Sequence, residues 1–125
     1  MSEEPQWISE KSETRRYDVE NRTLKFAMAC IDLCKLVKND AVNGQLISEL
    51  ILSAGSRGAN YREANDPIHK RDFYYRIGIP RRESKESKYW LEPLRRSNPE
   101  ISDRAEERID EALQLAEIFA SISMA

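Results

Sequence analysis

Apolar side chains return every three to four positions in four separate stretches of this chain, the spacing of a helix that buries one face. Each stretch is long enough for a helix to cross a small domain, and turn-forming residues separate them. The pattern predicts an all-α protein built as an antiparallel, up-down-up-down four-helix bundle.

The first helix is expected from about Asn21 to Lys38, with Phe26, Ala27, Cys30, Leu33, Cys34 and Val37 on its buried stripe. Asn39, Asp40, Asn43 and Gly44 read as the turn that ends it. The second is expected over about Gln45 to Ala64, with Leu46, Ile47, Leu50, Ile51, Ala54, Gly58 and Tyr61 inward. Ala54, Gly55, Ser56, Gly58 and Ala59 crowd small residues into it, at a cost of about 1 kcal/mol per glycine, so a neighbouring backbone is expected to come close.

Asn65, Asp66 and Pro67 make the next break, with Asp66 as cap and Pro67 in the first helical position. The third helix is expected from Pro67 to about Ser97, kinked near Pro80, with Phe73, Ile77, Leu91 and Leu94 inward and the smaller Ser84 and Ser87 between them. The fourth is expected to begin near Ser102, where Asp103 and Glu106 have capping-box spacing, and to bury Ala105, Ile109, Ala112, Leu113, Ala116 and Phe119. Residues 1–20 show no sustained period and read as a flexible tail ahead of a bundle domain over 21–125.

The 125 residues fit one domain, and 40% apolar with 34% charged residues suits a helical core under salt-bridged outer faces. No apolar run approaches the roughly 20 residues that span a bilayer, and Met1 to Glu4 lack the features of a signal peptide. A cytoplasmic protein with no membrane partner is therefore expected. Cys30 and Cys34 lie four apart on one helical face, and a disulfide framework is excluded. With His69 as the sole histidine, they read as small core residues; no metal site and no cofactor are expected.

The formal net charge of −2 hides a polarised layout. Residues 57–96 carry 11 basic and 6 acidic side chains, whereas residues 97–125 carry 2 and 7. On the third helix, Lys70, Arg71, Arg81, Arg82, Lys85, Lys88 and Arg96 project to one flank with Tyr74 and Tyr89, and Arg62 of the second helix joins them as a candidate. Cations neutralise phosphates and exposed tyrosines stack on bases, so this flank is the candidate site for RNA or DNA. The alternative is a solvated face paired with the acidic fourth helix.

Enzymatic readings lack their residues. One histidine cannot furnish a diiron bundle, and no phosphate-cradling glycine loop or nucleophile motif is present. Glu83, Glu86, Glu107 and Asp110 form a carboxylate set whose spacing is similar to that of all-α, magnesium-dependent nucleotide pyrophosphatases. If the third and fourth helices turn near residue 99, however, Glu86 lies beside about residue 112, leaving Glu107 roughly 8 Å away along the axis. No catalytic residue is assigned.

Two helices carry more apolar surface than one core stripe needs. Leu24, Met28 and Ile31 form a second line on the first helix, and Leu115, Ile118 and Ile122 a second line on the fourth. These six residues are the expected interface of a homo-oligomer.

The run Gly58, Ala59, Asn60, Tyr61, Arg62, Glu63 and Ala64, followed by Asp72 and Phe73, then Glu83, Glu86 and Ser87, then Tyr89, Trp90 and Leu91, resembles a known family. That family is the four-helix-bundle proteins encoded by intervening sequences of bacterial 23S ribosomal RNA genes. The similarity runs from about Arg22 to Ile122. It implies a bundle that assembles into a ring, commonly a pentamer, with no established catalytic activity and a link to ribosomal RNA by genomic placement. A similar bundle, the accessory variability determinant of diversity-generating retroelements, forms a basic pentamer that binds nucleic acid and a reverse transcriptase. By that analogy the chain is expected to be an adaptor for RNA, DNA or a nucleic-acid-handling protein. It departs from the family pattern at Arg57, usually apolar, at Pro80, usually alanine, and in its slightly acidic net charge.

Overall fold

A computed structural model describes residues 6–64 and 73–124, and side chains over 18–56, 59, 61–62 and 78–122. Four long helices follow in order: α1 (Gln6–Cys34), α2 (Ala41–Ala64), α3 (Phe73–Ser97) and α4 (Ser102–Met124), with a short 3-10 turn over Pro99–Ile101. Among the described residues there is no strand. α1 packs on α2 and α4, and α3 packs on the same two, so the helices close a ring of neighbours around one core. This is an all-α four-helix bundle.

Phe26, Cys30 and Leu33 of α1, Leu50, Ala54 and Tyr61 of α2, Leu91 and Leu94 of α3, and Ile109, Ala112 and Phe119 of α4 fill that core. Each large apolar side chain buried here contributes about 1.5–3 kcal/mol relative to exposure. The rings of Tyr61 and Phe119 meet at 5.2 Å with planes tilted by 54°, joining α2 to α4. Ser84 and Ser87 are fully buried on α3. Their hydroxyls donate to the carbonyls of Pro80 at 2.8 Å and Glu83 at 2.9 Å, one turn back, which lets small polar side chains sit in an apolar core.

Several boundaries differ from the sequence reading. The segment expected as a tail is helix from Gln6 onward, continuous with the rest of α1, and Val19 is already buried. Its Glu, Lys and Arg residues are good helix formers, and a helix extended from a packed one needs no stripe of its own. α2 begins at Ala41, so Asn43 and Gly44, read as part of the turn, lie in its first turn. Asp40 caps it, accepting the Asn43 N–H on Oδ1 at 2.8 Å while its carbonyl accepts the Gly44 N–H at 2.8 Å.

α3 runs through Pro80 and Pro93 without a break, and Pro80 is itself buried. The expected start of the third helix at Pro67 lies outside the described residues. At Gly55 the expected close approach is absent: a Cβ there would meet nothing within 4 Å. Gly58 falls outside the described side chains.

The two connections at one end of the bundle are tied together by a reciprocal amide pair. Asn43 Nδ2 donates to Asn98 Oδ1 at 3.0 Å, and Asn98 Nδ2 donates to Asn43 Oδ1 at 2.8 Å. The remaining amide hydrogens go to the carbonyls of Lys38 at 2.7 Å and Leu94 at 2.9 Å. All four amide hydrogens are thus used, in side chains only 3% and 4% exposed. Replacing one partner strands the other in a buried site, at about 1–3 kcal/mol. Asn43→Ala and Asn98→Ala are each expected to destabilise by that amount. In urea titrations the double variant should lose less than the two singles added together.

Cys30 and Cys34 are both buried and free. Burial in an apolar surround disfavours the thiolate and pushes the Cys34 thiol up to about 11. An unfolded thiol ionises near pH ~8.5, so its contribution to stability is complete below that pH and is lost as pH rises towards about 11. Urea midpoints measured from about pH 8 to about pH 11 should therefore fall more steeply in the wild type than in Cys34→Ala.

Candidate nucleic-acid interface

At about 100° per residue, α3 turns Ser84, Ser87, Leu91 and Leu94 inward and places Arg82, Lys85, Tyr89 and Arg96 roughly half a turn away. Arg82, Lys85 and Arg96 are exposed, and Tyr89 is 64% exposed. Arg81 and Lys88 are half-buried on the side of the ridge that faces α4. Among the described residues, none of these five cations forms an ion pair. Tyr89 meets Trp90 edge-on, with ring centroids 4.9 Å apart and planes at 89°. Trp90 packs against the core, so the exposed tyrosine has an anchored neighbour.

Arg62 is exposed on α2, while Lys70 and Arg71 lie outside the described residues. Tyr74 belongs to α3, but its side chain is also outside them. Glu92, which the charge sorting passed over, is exposed between Tyr89 and Arg96 and interrupts the positive row.

Among the described residues, the α3 cation that pairs is Arg95. Its Nε donates to Ser102 Oγ at 2.9 Å, and a terminal nitrogen lies 3.6 Å from Glu106 Oε2, bracing the α3 to α4 connection. Between α1 and α4, Arg22 grips Glu111 with two hydrogen bonds, at 3.1 Å and 2.6 Å, and reaches Gln114 at 3.2 Å. The hydrogen bond to Glu111 raises the Arg22 pKa against the opposing effect of burial. The acidic α4 therefore pairs with α1 and with the end of α3, leaving the middle of the basic ridge without a partner among the described residues.

The proposed interface line on α4 requires a correction. Leu115 is fully buried, Ile122 is 8% exposed, and Ile118 packs partly buried against the core. A helix that touches two neighbours buries an arc wider than one stripe, and α4 packs on both α3 and α1. The line read as surplus is part of the bundle interior, whereas Leu113, expected inside, is 41% exposed. On α1 the second line does face outward: Leu24, Met28 and Ile31 are 49%, 48% and 38% exposed.

The carboxylates do not converge on a metal site. Glu83 is half-buried and Glu86, Glu107 and Asp110 are exposed; among the described residues, no group of three or more Cys, His, Asp or Glu could hold a metal ion. A groove between α1 and α4 is lined by Ala29, Leu33 and Leu36 with Asp32, Arg104, Glu107 and Arg108. Its charges balance, and Arg108 is engaged with Glu107 at 3.1 Å.

The chain is thus a helical bundle with an exposed tyrosine on a basic ridge that forms no ion pair among the described residues. It is similar in structure to a Bacteroides thetaiotaomicron protein of unknown function from the S23 ribosomal protein family, with a TM-score of 0.74 and 27% sequence identity over 88% of this chain and 98% of that one. No family model and no curated protein matches the sequence. No helix among the described residues is long and apolar enough to cross a membrane.

Burial divides the six proposed interface residues into two experimental classes. Leu115→Ala should cost about 2–5 kcal/mol in urea unfolding, because it empties a filled core site. In dilute, unassociated protein Met28→Ala should change stability by no more than about 0.5 kcal/mol.

Proposed function

We propose that this protein is a non-enzymatic, self-associating scaffold that holds RNA or DNA on the outward ridge of α3. The observation that carries the reading is the row of Arg82, Lys85 and Arg96, all exposed and free of ion pairs among the described residues, around Tyr89. From Arg82 to Arg96 the row is about 21 Å long, enough to follow several phosphates of one strand. Cations along a strand supply affinity without a sequence code, and an exposed tyrosine adds a stacking surface that accepts any base. The structural neighbour's placement in a ribosomal protein family supports an RNA partner. Self-association is assigned to the outward line Leu24, Met28 and Ile31 of α1, three apolar residues on one helical face where a lone molecule would leave them in water.

Filter binding of a labelled single-stranded RNA across salt concentrations tests the ridge. Log affinity should fall linearly with log salt. Replacing Arg82, Lys85 and Arg96 together with alanine should reduce the slope by about 2, at roughly 0.7 per phosphate contact. Tyr89→Ala should weaken binding by about 1–3 kcal/mol with the slope unchanged. Binding that is undetectable at low salt, or indifferent to salt, would remove the ridge as a phosphate site.

A further inference from the structure

Beside the basic ridge of α3 runs a matching acidic row on α4. Arg82, Tyr89 and Arg96 are spaced by seven residues, as are Asp103, Asp110 and Glu117, and all six are exposed. Seven residues carry a helix about 10.5 Å forward with only about 20° of drift, so each set forms a nearly straight line parallel to its axis. The acidic line stands roughly half a turn from buried Ala105 and Ala112 and therefore points out of the bundle, as the basic line does.

The level of the two lines follows from Arg95, which reaches both Ser102 and Glu106 and so lies level with the midpoint between them, residue 104. Counting away from the turn, Arg96 is level with Asp103, Tyr89 with Asp110, and Arg82 with Glu117. Side by side on one molecule, the lines sit on neighbouring helices and point outward, and none of the six residues forms an ion pair among the described residues.

We infer that the α3 and α4 face is self-complementary, and that a second copy of this chain covers the basic ridge with its own acidic row. A twofold axis parallel to the helices lays α3 of one copy on α4 of the other and keeps every residue at its level. Arg82 then meets Glu117 of the second copy, Arg96 meets its Asp103, and the Tyr89 hydroxyl donates to its Asp110; the reciprocal contacts repeat the set. A twofold axis across the helices would instead lay like charges on one another, so charge selects the parallel arrangement. Leu113, 41% exposed, adds apolar surface to this face. Glu92, level with Glu107, is the like-charge approach that the pairing carries.

The consequence for function rests on the ridge being the nucleic-acid site: the acidic row of a second copy then occupies it in place of phosphates and must leave before a strand binds. The pairing itself does not depend on that reading. It should be weak and salt-sensitive, since its contacts lie at a solvated surface.

The test uses the full chain and two single substitutions in mid-helix, Arg82→Glu and Glu117→Lys, with helicity checked by circular dichroism. Sedimentation equilibrium at about 50 mM and about 500 mM salt should show wild-type association through this face that weakens at high salt. Each variant alone should associate roughly tenfold or more weakly, because like charges then face one another. An equimolar mixture should recover the lost association, because position 82 of one variant and position 117 of the other then carry opposite charges across both contacts of the mixed pair. Glu117→Lys alone should bind single-stranded RNA more tightly than the wild type. Association that neither substitution weakens, or that mixing does not recover, overturns the pairing. If mixing recovers association while no variant binds RNA, the pairing stands and the nucleic-acid reading falls.

Discussion

The Asn43 and Asn98 amides set the level at which the two helical hairpins of this molecule meet. One hairpin is α1 with α2, the other α3 with α4, and apolar packing alone is tolerant of small slips between such units. A reciprocal pair whose four hydrogens all have acceptors is not. Moving either hairpin along its axis would leave several buried polar groups without partners, so the pair defines one register. The facing of core residues below it, down to Tyr61 on Phe119, is counted from that point.

Register in turn decides what the surface presents. With Arg95 committed to Ser102 and Glu106, and Arg22 to Glu111 and Gln114, the inter-helix polar contacts use up groups at the end of α3 and on the α1 side of α4. Among the described residues, the outer lines of α3 and α4 are left without ion pairs, one basic and one acidic. A chain of net charge −2 thereby displays strong local charge of both signs on one face. Such a face favours partners that carry an ordered row of charge over partners that carry only net charge.

The helices themselves were legible because burial imposes a period that a reader can count. The stripes through Phe26, Cys30 and Leu33 and through Ala105, Ile109 and Ala112 are inside the bundle where the spacing placed them. Helix limits were less legible. Asn43 and Gly44 have turn chemistry in isolation, yet the Asp40 cap brings them into the first turn of α2, and Asn43 owes its buried place to Asn98, 55 residues away. The outward position of Arg82, Lys85, Tyr89 and Arg96 was readable from α3 alone; their lack of ion pairs among the described residues was not, because it depends on where Glu106 and Glu111 are spent.

By itself the sequence determined which residues seek the interior, how many helices they build and which side of each helix carries charge, since these depend on spacing within a single helix. The tertiary structure decided how wide an arc each helix buries. Leu115, Ile118 and Ile122 looked surplus on an isolated α4 and became core once α1 lay against them, whereas Leu24, Met28 and Ile31 had no such neighbour among the described residues. It also decided the alignment of the basic and acidic rows, because the level of one helix against another is set by contacts between residues far apart in the chain. Periodicity along a helix carries no information about that level.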